Sequence, residues 1–248
     1  MNRPQETPPG DAGGDQNPDR PRIRWQSPAS KKPDTELTDE LVLCCLDPTT
    51  WRPIVRPRII GLGLAACVVG QLIAFGKVNL VDKSLVLSYT AQPPNTVLML
   101  EVWEAVKAEH TAQPVKTWLQ YLAEQGMGSG GIFARVAERM ASRGLVTIER
   151  QGILGRRLAY APTNPSAAAW PFVRLRQGLN REDLTGPNGR DAFLIGLLSR
   201  MGLEPRLADA DLGRHRLEAV DRGLEPPIRK LLGHLDVVVG EAAMTQRS

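Results

Sequence analysis

Arg135, Arg139 and Arg143 recur every four residues in "IFARVAERMASRG", and Gly144 closes the stretch. On a helix that spacing sets three guanidinium groups in one outward stripe, while Ile132, Phe133, Val136, Ala137 and Met140 face inward. A guanidinium fork takes phosphate oxygens in pairs, so the chemistry suggested is the holding of an anion. Two strand-like runs follow, "LVTIER" and "RRLAYAP", joined through "QGILG", with Ile153 and Leu154 exposed at the tip and Arg156 and Arg157 just beyond it. From Arg135 to Arg181 nine arginines stand against Glu138 and Glu149 alone, so the positive excess of a chain whose net charge is +4 is concentrated here.

Two uses of this unit remain open. As a winged helix it would lay the arginines on DNA phosphates and its helix against base edges, the work of a DNA-binding regulator. The outward face, however, lacks Asn, Gln or Lys at base-reading positions, and the apolar tip suits a bilayer or a protein partner better than a groove.

Catalytic chemistry has no comparable pattern. The glycines of "GLGLAACVVG" have no preceding strand, and "GMGSGG" has no Lys-Ser/Thr after it, so neither reads as a phosphate loop. No nucleophile elbow, HExxH or Cys paired with His stands out, and no enzyme is expected. The three histidines are far apart and Cys44, Cys45 and Cys67 lie in apolar stretches, which implies buried, reduced thiols in a cytoplasmic protein with no metal and no cofactor.

The elements that must position the arginines are mainly helical. Residues 1–34 form a proline-rich tail with little to bury, expected to be disordered, its one distinctive patch being "RPRIRW". Folded sequence begins at "TELTDELVLCCLD", where Thr38 is a plausible N-cap, Glu36 and Glu40 match the helix dipole, and Leu41, Val42, Cys44, Cys45 and Leu46 supply a buried face. The apolar run "IIGLGLAACVVGQLIAF" is at the lower limit of the ~17–25 residues that cross a bilayer. With Gln71, three glycines and an immediate strand after it, it reads as a buried central helix in which Gly63, Ala65, Ala66 and Gly70 admit close neighbours.

"GKVNLVDKSLVLSY" reads as a hairpin turning at Asp82-Lys83-Ser84. Helical stripes follow at Val115, Trp118, Leu119 and Leu122, at Leu194, Leu197, Leu198 and Met201, and at Ile228, Leu231, Leu232 and Leu235. Ser129 is placed to cap the arginine helix, and the strands after it set Val146 and Ile148 opposite Leu158 and Tyr160. The fold class is therefore mainly α, one domain over 35–243 with two small β-hairpins, the second following a winged-helix-like helix.

In order and spacing, "LTDELVLCCLD", "LIAFGKVNL", "PVKTWLQYLA", "RVAERMASRGLVTIE" and "DAFLIGLLSRMGL" resemble the Golgi phosphoprotein 3 family, particularly its bacterial members, over about Leu37 to Ala243. The resemblance implies a non-enzymatic, mainly helical peripheral membrane protein, an adaptor that binds phosphatidylinositol 4-phosphate in a basic pocket and self-associates through the hairpin. The positions matching the family pocket hold Arg56, Ala65, Gly130 and Phe133. A substitute headgroup site is expected from Trp51, Arg52, Arg56, Arg58, Arg135 and Arg139, and a membrane or homo-oligomer contact from Ile153, Leu154, Arg156 and Arg157. The partners expected are an anionic, phosphoinositide-like phospholipid and the inner face of a bacterial membrane, with no nucleic acid.

Overall fold

A computed structural model describes residues 35–88, 91–127, 130–151, 157–180, 187–208 and 210–245. The proline-rich tail with "RPRIRW", the hairpin tip and Ser129 lie outside them.

Helix α1 spans Leu37–Cys44. Its N-cap is Glu36, not Thr38, and the Asp39 carboxylate accepts a 3.0 Å hydrogen bond from the Glu36 N–H. Thr38 fails as a cap because its hydroxyl is occupied elsewhere: it accepts from Arg139 Nη2 at 2.7 Å. The expected apolar face is buried, and so are Thr38, Asp39 and Glu40.

Helix α2 (Pro57–Ala74) takes Pro57 at its first position, where the missing N–H costs nothing. It is long and apolar enough to cross a membrane, yet 67% of it is buried inside the protein. It packs against α1 and, from later in the chain, α3 (Val97–Ala108), α4 (Val115–Glu124), α5 (Gly131–Ser142), α7 (Gly189–Leu198) and α10 (Pro226–Met244). An added Cβ at Gly63 would overlap the Met201 side chain, and one at Gly70 the Phe193 ring, so these glycines admit close neighbours as expected. Gly76, at φ 64°, then turns the chain into β1 (Val78–Val81) and β2 (Ser84–Leu87), an antiparallel hairpin in which Val78 pairs with Leu87.

Asn188 Oδ1 caps α7 by accepting from the Asp191 N–H at 2.9 Å. The four-residue stripes of α4, α7 and α10 are buried as the periodicity requires. A π-helical turn, Ser199–Leu203, joins α7 to α8 (Glu204–Leu207), and α9 (Ala210–Gly223) leads to α10.

The arginine helix α5 has Gly130 as its N-cap, at φ 97°. Its start lies so close to α4 that a Cβ at Gly131 would overlap the Ala123 carbonyl. Gly144, at φ 68°, ends it, and β3 (Val146–Gln151) pairs with β4 (Arg157–Pro162). Ile148 faces Tyr160 as expected, whereas Val146 faces Pro162 and Leu158 faces Arg150. Helix α6 (Pro165–Asn180) follows at once and packs on α1.

Candidate functional site

The outward arginine stripe does not form. Arg135 points to α3, donating from Nη2 to Glu101 Oε1 at 2.7 Å with 48% of its side chain exposed. Arg139 turns back onto α1, where it donates to Glu36 at 2.6 Å, to Thr38 and to the buried Asp39. Arg143 follows it to Asp39 at 3.1 Å and Glu36 at 3.6 Å. A helix whose second and third arginines brace its own fold has little left to lay along a DNA backbone.

The acids of α1 also hold arginines from α6 and α7. Arg174 Nη2 lies 2.7 Å from Glu40 Oε2 and 2.8 Å from Asp191 Oδ1, and Arg190 Nη2 lies 3.2 Å from Glu40 Oε1. Burial acts against the charge of Arg174, but the two carboxylates more than offset it and its pKa is raised. Four carboxylates thus meet four guanidinium groups around one buried helix end. Sequence reasoning missed this hub. The available signal was three acids, Glu36, Asp39 and Glu40, crowded beside an apolar face in a chain whose later arginines lack local partners.

The remaining predicted residues cluster around the start of α2. In the preceding loop Asp47 Oδ1 accepts from the Thr50 N–H at 2.8 Å, the Thr50 hydroxyl at 3.0 Å and the Thr49 N–H at 3.1 Å. Those donors hold its carboxyl below the usual range. Arg52 is half-buried, and its carbonyl accepts from the Asp47 N–H at 2.9 Å. Trp51 adopts φ 55° and its carbonyl accepts from the Tyr160 N–H at 2.9 Å, which ties the loop to β4. The Tyr160 ring in turn lies 5.3 Å from that of Phe133 in α5.

Arg56, the N-cap of α2, is exposed and makes no ion pair among the described residues, whereas Arg58 is paired with Glu124 at 2.7 Å. The structure therefore brings Trp51, Arg52 and Arg56 together on one loop and sends Arg58, Arg135 and Arg139 to carboxylates of α4, α3 and α1. Of the positions that match the family pocket, Ala65 is fully buried, Phe133 nearly so, and exposed Gly130 has no side chain, which leaves Arg56 with the one side chain of the four able to meet a ligand in solvent. Ile153, Leu154 and Arg156 lie outside the described residues, as does the side chain of Arg157.

Both the loop and the hairpin expose apolar side chains. Ile54 of the loop is 39% exposed, and Ile148 and Leu158, on one face of the hairpin, are 39% and 41% exposed. Arg150 stands exposed between them in register, directly opposite Leu158. Exposed apolar side chains with a cation directly across the strand pair are suited to the boundary between headgroups and acyl chains. No group of three or more His, Cys, Asp or Glu side chains is placed to hold a metal ion among the described residues.

The family model described as Golgi phosphoprotein 3 (GPP34) matches residues 37–235. No curated protein matches the chain.

Proposed function

This chain belongs to the Golgi phosphoprotein 3 (GPP34) family, and from that premise we propose that it is a non-catalytic peripheral membrane protein that binds anionic phospholipid headgroups and serves as an adaptor. Phosphatidylinositol 4-phosphate is the headgroup to which the family likeness points. The observation that carries the reading is the exposed Ile148 and Leu158 of the hairpin with exposed Arg150 directly opposite Leu158, on a hairpin that the Tyr160–Trp51 hydrogen bond ties to the loop carrying exposed Ile54 and Arg56. Each cation near an anionic surface contributes roughly 1 kcal/mol, and the apolar side chains add burial in the headgroup layer.

Arg135 and Arg139 support docking less directly, since their charge is already matched by Glu101 and by the acids of α1. The cytoplasmic membrane face is where such a surface would act, with the hairpin also available for self-association.

Co-sedimentation tests the reading with vesicles of phosphatidylcholine alone, with added phosphatidylglycerol, and with added phosphatidylinositol 4-phosphate. Binding to both acidic mixtures and not to phosphatidylcholine is expected, weakening as salt rises. Equal recovery in the supernatant for all three would refute it.

A further inference from the structure

Helices α3 and α5 enclose a cleft of about 320 Å³ that the docking surface does not use. Its floor is apolar, formed by Leu98 and Val136 with Val97, which is 66% exposed at the first turn of α3. Its rim carries Glu101 from α3 and Arg135, Glu138 and Arg139 from α5. Arg139 is committed to Glu36 and Asp39, so its charge is spent before a ligand arrives. Glu138 is exposed and has no ion-pair partner among the described residues.

What remains for a ligand is one guanidinium, Arg135, and two carboxylates, Glu101 and Glu138. The Arg135–Glu101 bridge is itself exposed, and exposed bridges contribute little net stability, so a ligand that satisfies both partners can open it at small cost. A multiply charged anion would face two carboxylates across the cleft and be repelled. A ligand with one phosphate and one primary ammonium a few bonds away meets every group: the phosphate takes the arginine fork and the ammonium's three N–H donors reach the two carboxylates. Carbon attached to the phosphate then lies on Val97, Leu98 and Val136.

We propose that the α3–α5 cleft binds a phosphoethanolamine-type zwitterion, with its phosphate on Arg135 and its primary ammonium between Glu101 and Glu138. The cleft volume is at the small end of ligand sites, about 300–1,000 Å³, which suits a headgroup and the first carbons beyond it. The recognition does not depend on the cationic docking surface. The same chemistry occurs in a lipid headgroup and in its free, deacylated form.

Titration calorimetry of the full chain with glycerophosphoethanolamine, glycerophosphocholine and glycerol phosphate tests the site. The ethanolamine compound is expected to bind at least tenfold more tightly than the other two, because a quaternary ammonium has no N–H to donate and glycerol phosphate has no cation. Glu138→Gln and Arg135→Gln, both at exposed positions that leave the core intact, should each weaken it about tenfold. Arg56→Glu, which targets the docking surface, should leave it unchanged. Vesicles then separate the sources. Binding that rises when phosphatidylethanolamine replaces phosphatidylcholine assigns the site to membrane lipid, and calorimetric binding without that rise assigns it to the free compound. Tighter binding of glycerol phosphate, no binding of any of the three, or Glu138→Gln binding like the unaltered chain would overturn the proposal.

Discussion

Arg174 of α6 reaches across to Glu40 of α1, Nη2 to Oε2 at 2.7 Å, with both side chains largely withdrawn from solvent. The partners are 134 positions apart in the chain, so this contact closes the fold rather than decorating a helix. Removing Glu40 takes a carboxylate from both Arg174 and Arg190 and leaves the largely buried Arg174 with Asp191 alone. Glu40→Ala is expected to lower unfolding free energy by about 3 kcal/mol or more, read from urea denaturation. Replacing Glu40 and Arg174 together should cost less than the sum of the two single replacements, since the contact between them is lost only once. An additive double mutant would show that the pair is not coupled.

The glycines of the central helix give a contrast. A methyl group at Gly70 would overlap the fully buried Phe193 ring, whereas Gly233 of α10 has open space around its Cβ position. Gly70→Ala should destabilise by about 1–3 kcal/mol through overpacking. Gly233→Ala, in an exposed helical position, should stabilise by roughly 0.5–1 kcal/mol. Thermal melts of the two variants measure both signs.

All three cysteines are buried and unoxidised. Burial raises the pKa of each thiol, that of Cys45 to about 12. In the unfolded chain a thiol ionises near pH ~8.5, so the folded state holds protons that the unfolded state releases. Stability from this source is complete below about pH 8.5 and is lost as pH rises toward the folded values. A thiol reagent should leave the native protein unlabelled and modify three groups in denaturant. Labelling of Cys45 in the native protein at neutral pH would contradict its placement.

His234, whose pKa is lowered by burial and by the nearby charge of Lys83, works in the opposite direction. The fold disfavours its charged form, so its contribution is present above the unfolded value of about pH 6.5 and falls away as pH drops through the lowered folded value. His234→Gln should flatten the dependence of melting temperature on pH between 7 and 5. An unchanged slope would count against the burial of this imidazole.

Much of the scaffold was legible because it is local. The runs that build α2, α4, α7 and α10 carry their apolar period in the sequence, and Gly76 and Gly144 mark chain reversals that need positive φ. The burial of Thr38, Asp39 and Glu40 was not legible. Acids at a helix start ordinarily serve its dipole from solvent, and nothing within a few residues shows that Arg139, Arg143, Arg174 and Arg190 will converge on them. For the same reason Arg135 and Arg139 read as free cations, while Glu101 and Glu36, which hold them, lie 34 and 103 positions away. Arg56, by contrast, makes no ion pair among the described residues and stands exposed as the N-cap just before Pro57. Arg150 was counted in the sequence only as part of the charge excess, and its place beside Leu158 depends on strand register.

The most direct test reverses charge on the docking surface alone. Partition of Arg56→Glu/Arg150→Glu onto phosphatidylglycerol vesicles is compared with that of Arg214→Glu/Lys230→Glu, which makes the same change in net charge on α9 and α10. At roughly 1 kcal/mol per cation near the surface, the first pair should lose at least tenfold in partition and the second less than about threefold. Equal losses would mean that only total charge matters, and no loss from the first pair would mean that the protein meets the membrane elsewhere or not at all.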